Sequence, residues 1–210
     1  AGGTLQITST DDSLHTNASC AITGGSLTLS TSDDGVHADA NLTVHDGTID
    51  ILKSYEGLEG KSVDITGGTI CIVASDDGVN TAGGSDQSGF QPGFTGGKND
   101  TFQSDATCYI QISGGNLTVN AGGDGLDSNG NITVTGGVTY VSGSTNSADS
   151  ALDYDGTGII TGGVIILTGN SGMAQNFGTA STQGSILLNF SSTSTAPVTL
   201  ADSDGNTILI

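Results

Sequence analysis

Arginine and tryptophan are missing from this chain, and lysine is reduced to Lys53, Lys61 and Lys98. Without basic surface a protein has nothing with which to displace counterions from nucleic acid, so that partner is excluded. The same shortage, set against 20 Asp and the two glutamates Glu56 and Glu59 for a net charge of −19, excludes attraction to an anionic membrane. No apolar run approaches the length of about 20 residues that crosses a bilayer. Glutamate is scarce where aspartate is abundant, which speaks against long helices and for turns and hard-cation ligands. The three cysteines, Cys20, Cys71 and Cys108, lack the spacing of a zinc site. No export leader is visible, and the expectation is the mature part of an exported protein or a segment of a larger one. The composition suits a secreted, extracellular protein, free or attached to the cell surface. A charge of −19 opposes compaction unless cations neutralise it. Disorder is nevertheless rejected, because the apolar residues are placed at regular intervals.

That regularity is an internal repeat. Glycine pairs or near-pairs begin at Gly2, Gly24, Asp46, Gly67, Gly114, Gly136, Gly162 and Gln183, at intervals of 22, 22, 21, 47, 22, 26 and 21. After each start comes an alternating apolar pair: Leu5/Ile7, Leu27/Leu29, Ile49/Ile51, Ile70/Ile72, Leu117/Val119, Thr139/Val141, Ile165/Leu167 and Ile186/Leu188. Before most starts lies another, from Cys20/Ile22 and Leu42/Val44 to Ile132/Val134 and Gly158/Ile160. A third ladder comprises Leu14, Val36, Leu58, Val79, Leu126 and Leu152. Alternation of this kind is a strand with one buried face, and glycine serves the corners. The expected fold is all-β: a right-handed parallel β-helix, a solenoid of coils of about 22 residues with three short strands each. It forms a single domain over residues 1–210. A surplus at about 83–108 carries no ladder and is expected to be a loop excursion. A shorter insertion falls around 145–149, and beyond Phe190 the pattern decays towards a terminal cap.

Directly before the third ladder stand TDDSLHT (10–16), SDDGVHAD (32–39), SYEGLEG (54–60), SDDGVNT (75–81), GGDGLDSN (122–129) and ADSALDYD (148–155). Stacked at about 4.8 Å, they form a carboxylate ridge of Asp11, Asp12, Asp33, Asp34, Glu56, Asp76, Asp77 and Asp124, with Asp149 as a further candidate metal ligand. A second file runs His15, His37, Glu59, Asn80, Asp127 and Asp153. Calcium takes six to eight oxygens at about 2.3–2.6 Å, so ligands from adjacent coils can share one ion. Several calcium ions are therefore expected along the column, with a solvated acidic face as the alternative. His15 and His37 read either as metal ligands or as turn residues. Lys53 reads either as a neutralising charge beside the ridge or as the base of a lyase.

The repeated SDDGVHAD, SDDGVNT and GGDGLDSNGNITVTGG resemble, over nearly the whole chain, the clostridial family of secreted carbohydrate-binding domain-containing proteins. That resemblance implies a parallel β-helix that binds calcium, cellulose and acidic sugars. The family is similar in turn to β-helical pectate lyases, in which calcium bridges a uronate carboxylate to aspartates and a lysine or arginine removes the proton. The leading expectation is a non-catalytic calcium-binding module for plant cell-wall polysaccharide, cellulose or polygalacturonate. Tyr55, Tyr140, Tyr154, Phe90 and Phe94 are the candidate sugar contacts in place of tryptophan. A calcium-dependent pectate lyase using Lys53 and a calcium-stiffened surface solenoid are the alternatives.

Overall fold

The computed structural model describes residues 2–81, 104–192 and 197–209, and these contain no helix. The chain winds as a parallel β-solenoid. Its strands are β1 (Thr4–Thr8), β2 (Leu14–Thr16), β3 (Cys20–Ser30), β4 (Val36–Ser54), β5 (Leu58–Ile65), β6 (Thr69–Ala74) and β7 (Val79–Thr81). After the excursion come β8 (Tyr109–Ile112), β9 (Asn116–Ala121), β10 (Leu126–Ser128), β11 (Asn131–Val134) and β12 (Val138–Ser142). The series continues with β13 (Asp153–Tyr154), β14 (Gly158–Ile160), β15 (Val164–Thr168), β16 (Leu200–Ala201) and β17 (Thr207–Leu209).

The three ladders read from the sequence are the three faces of the solenoid. On the first, Leu5 pairs with Leu27, then Ile49, Ile70, Leu117, Thr139 and Ile165. On the second, Cys20 pairs with Leu42, then Val63, Ile110, Ile132 and Gly158. On the third, Leu14 pairs with Val36, then Leu58, Val79 and Leu126. Inward residues such as Leu42, Ile49, Leu58, Ile70, Ile110 and Leu126 are fully buried. Each such burial contributes about 1.5–3 kcal/mol.

Glycine makes the corners possible. The second residue of successive pairs, Gly25, Gly47, Gly68, Gly115, Gly137 and Gly163, has φ between +81° and +116°, a region that other residues seldom enter. The coils nevertheless differ from three short strands each. In the N-terminal coils hydrogen bonding continues around the corners, so β4 runs for 19 residues across all three faces. Its corners survive as register shifts at Ala38/Asn41 and near Thr23/Ser26 of its partner β3.

The long surplus is skipped by the ladder, for Val63 of β5 pairs directly with Ile110 of β8. Most of it, including Phe90 and Phe94, lies outside the described residues. Its described end, 104–108, turns without a strand and buries Cys108. The expected rung at Ile186/Leu188 does not form. Both residues are exposed, at 65% and 56%, and ladder pairing ends at β15. Ile186 and Leu188 keep the alternation of a strand, but no strand pairs outward of β15 to receive them. The described end of the chain is a two-stranded antiparallel pair, β16 with β17.

Candidate metal centre on the third face

The acidic-residue–glycine step that precedes the third-face strand in β4, β5, β7 and β10 is dictated by packing. Gly35, Gly57, Gly78 and Gly125 sit where a Cβ would strike the next coil's backbone and a core side chain from the first face, Ile51, Ile72, Val119 and Val141 in turn. Each glycine thus lets the chain press against the core and holds the preceding acidic residue in register. Asp12, Asp34, Glu56, Asp77 and Asp124 form one file, coil above coil. Most of its members use one oxygen as backbone staples. Asp12 Oδ1 accepts from the Asp34 amide at 3.1 Å, Asp34 Oδ1 from the Glu56 amide at 3.2 Å and Asp77 Oδ1 from the Asp124 amide at 2.7 Å. Asp124 Oδ1 accepts from the Ser150 amide in the same manner.

The second file forms as read: His15 pairs with His37, then Glu59, Asn80, Asp127 and Asp153. These side chains point away from the apolar core, yet His37, Glu59 and Asn80 are buried along with Asp33, Asp34, Glu56 and Asp77. A buried charge must be paired or must bind a cation.

Three types of station follow along the column. At the N-terminal end, Asp11, Asp12 and Asp33 bring carboxylate oxygens within 4.8 Å of one another. Next come imidazoles. His15 Nδ1 lies 2.6 Å from Asp12 Oδ2, and its ring stacks on that of His37 at 4.8 Å. His37 Nδ1 lies 2.7 Å from Glu59 Oε2 and 3.3 Å from Asp34 Oδ2. Towards the C-terminal end, Asp77, Asp124 and Asp127 converge, again within 4.8 Å. Beside them Asn80 donates from Nδ2 to Glu56 Oε2 at 2.9 Å, while its Oδ1 is buried without a hydrogen-bond partner.

The electrostatics match the crowding. Burial pushes the Glu56 carboxyl well up, and the charges of Glu59, Asp34 and Asp77 add to it. Burial also pushes up Glu59, with Asp34 adding and the hydrogen bond to His37 opposing. Burial works against a charged His37, but the hydrogen bonds and charges of Asp34 and Glu59 outweigh it and push the imidazole up to about 11. The column thus retains protons near neutral pH that ordinary side chains would release, and a metal cation can replace them.

Other expected site residues lie apart from these clusters. Asp149 accepts from Ser144 and Asn146 within the 145–149 insertion, and Asp153 accepts from Gln175. Asp76 lies in the ridge, and Tyr55 takes the acidic position of its own coil, its amide donating to Asp33 and its carbonyl accepting from Asp76. Tyr140 is 48% exposed on the outer side of the first face, between Thr118 and Ile166. Tyr154 is turned inward instead: its ring packs on the core and its hydroxyl donates to the Asn176 carbonyl at 2.6 Å. Lys53 is exposed and makes no ion pair with a described carboxylate. Sequence reasoning missed Asp39, which faces His37 Nε2 at 3.2 Å; its one signal was the HAD triplet at 37–39. Comparison of the chain with protein-family models, with curated proteins and with solved structures gives no match.

Proposed function

We propose that this chain is a non-catalytic, calcium-binding carbohydrate-binding module, secreted and directed at plant cell-wall polysaccharide: polygalacturonate, cellulose or both. The observation that carries the reading is the Asp77–Asp124–Asp127 station, with Asn80, whose Oδ1 is buried without a partner, in register beside Asp127. All four donors are oxygens, which suits calcium, a hard cation that takes carboxylates and amide carbonyls together. The orphaned amide oxygen supports a ligand there, because a buried acceptor left unsatisfied costs about 1–3 kcal/mol. Four protein groups also leave coordination positions over.

Calcium bound there supplies a local positive charge against which an anionic sugar can bind, where the bare column would repel it. The chain's own residues then set the recognition. The ridge carboxylates are held in register by the backbone amides of the next coil, so the site keeps its shape. Tyr140 offers an exposed ring for apolar contact with a sugar face on the adjoining flat sheet. Removal of a sugar C5 proton requires a base poised beside the bound uronate, and Lys53, exposed near the end of β4, makes no ion pair with a described carboxylate of the column.

The test is retention on immobilised polygalacturonate with calcium, with chelator, and with an Asp77→Asn/Asp127→Asn variant. Retention should require calcium, fall in the variant and produce no ultraviolet absorbance from unsaturated product. Binding that persists undiminished in chelator removes calcium from recognition. Product formation that disappears in Lys53→Ala replaces the module with a lyase.

A further inference from the structure

We infer that the imidazole station of the column, Asp34, His37 and Glu59, is a separate site for a first-row transition ion, zinc by preference, and not for calcium. Calcium rarely takes nitrogen, whereas imidazole with carboxylates is an ordinary zinc ligand set. Here one ring nitrogen, His37 Nδ1, faces two carboxylate oxygens, at 2.7 Å from Glu59 and 3.3 Å from Asp34. One N–H can satisfy one of them well. Glu59 Oε2 shows the consequence: it is buried, and its contact with His37 Nδ1 is short but poorly directed. A tetrahedral ion bound at about 2.0–2.1 Å holds its ligand atoms roughly 3.3 Å apart; Asp34 already stands at that distance from Nδ1, whereas Glu59, at 2.7 Å, must draw back as the ion enters.

The far side of the ring supports the same conclusion independently. His37 Nε2 lies 3.2 Å from Asp39 Oδ1. A carboxylate on the outer nitrogen keeps a proton there when a metal displaces the inner one, so that Nδ1 can ligate; it is the second partner usual for a ligating histidine. His15 and Asp12, one coil away, extend the imidazole side: they form a further group with His37 whose ligand atoms lie within 4.8 Å of one another. The Asp77–Asp124–Asp127 station has no imidazole, so the column contains two chemically different sites. This inference does not depend on the calcium reading.

The experiment titrates chelator-stripped protein with zinc against a chromophoric competitor, in millimolar calcium throughout. Cobalt serves in parallel as a visible-absorbing probe of the ligand set. We expect one zinc bound at micromolar affinity or tighter. His37→Gln should abolish it, Asp39→Asn should weaken it by about 10–100-fold, and Asp77→Asn/Asp127→Asn should leave it unchanged. If His37→Gln does not fold, the imidazole nitrogen shifts of the unaltered protein decide, since zinc must move His37 Nδ1. Binding weaker than millimolar, displacement of zinc by calcium, a silent His37 resonance, or affinity unchanged in Asp39→Asn would each overturn the assignment.

Discussion

Gly78 tests whether packing or chemistry dictates the Asp-Gly step of the column. A Cβ at this position lies in hard overlap with Val119 Cγ1 and 2.6 Å from the Gly125 carbonyl oxygen. Neither neighbour can withdraw cheaply. Val119 is 2% exposed in the core, and its β-branched side chain has few rotamers. The Gly125 carbonyl accepts the Val79 amide at 3.1 Å, so its retreat loosens the rung between β7 and β10. Overpacking costs about 1–3 kcal/mol, and a weakened backbone hydrogen bond adds roughly 1 kcal/mol. Gly78→Ala should therefore destabilise by about 2–4 kcal/mol. At about 2–4 °C per kcal/mol for a chain of this length, that is a fall in Tm of roughly 4–16 °C. Gly184→Ala is the control, since nothing lies within 4 Å of the added atom; a change within about 0.5 kcal/mol is expected. Melting followed by circular dichroism in the presence of chelator isolates the packing effect. Repeating it with calcium reads the second consequence, weaker metal stabilisation because Asp77 and Asn80 flank the strained step. A Gly78→Ala protein that melts with the unaltered protein refutes the account of why glycine follows aspartate here.

Further outcomes follow from the same geometry. Glu56 and Glu59 have folded-state pKa values raised above their unfolded values, and His37 is raised from 6.5 to about 11. In all three the folded state binds the proton more tightly, so their contribution to stability is greatest in mild acid and is lost as pH rises. In chelator the Tm should fall between pH 5 and pH 9. With calcium or zinc the fall should shrink or reverse, since metal binding needs the deprotonated ligands; a chelated protein that gains stability across this range contradicts the buried-column reading. Ile110→Ala, at a fully buried rung between Val63 and Ile132, should cost about 2–5 kcal/mol in urea unfolding. Ile186→Ser, at an exposed position beyond the last paired rung, should stay within about 0.5 kcal/mol. Equal losses at both positions would mean that the solenoid continues through Ile186.

Much of this architecture was legible in one dimension because a solenoid maps the sequence period directly onto space. Leu5 to Ile165, Cys20 to Gly158 and Leu14 to Leu126 are fixed by counting, since each coil can bury its apolar face only against the same positions of its neighbours. The same counting places His15, His37, Glu59, Asn80, Asp127 and Asp153 in one file. Counting fails where that constraint ends. Ile186 and Leu188 keep the alternation, but with no further paired strand beyond β15 the pattern has nothing to pack on. It also fails where one residue must be chosen over another of the same type. Asp12, Asp34, Asp77 and Asp124 staple the next coil's amides, whereas Asp149 serves a local turn and Asp153 meets Gln175. Tyr140 and Tyr154 are alike in sequence, yet one faces outward and the other caps Asn176. The tertiary structure alone sets Asp39 behind His37 and Glu59 before it, because the chemistry of that station depends on distances near 3 Å. A repeat period fixes which residues are neighbours; side-chain rotamers and burial decide which atoms meet.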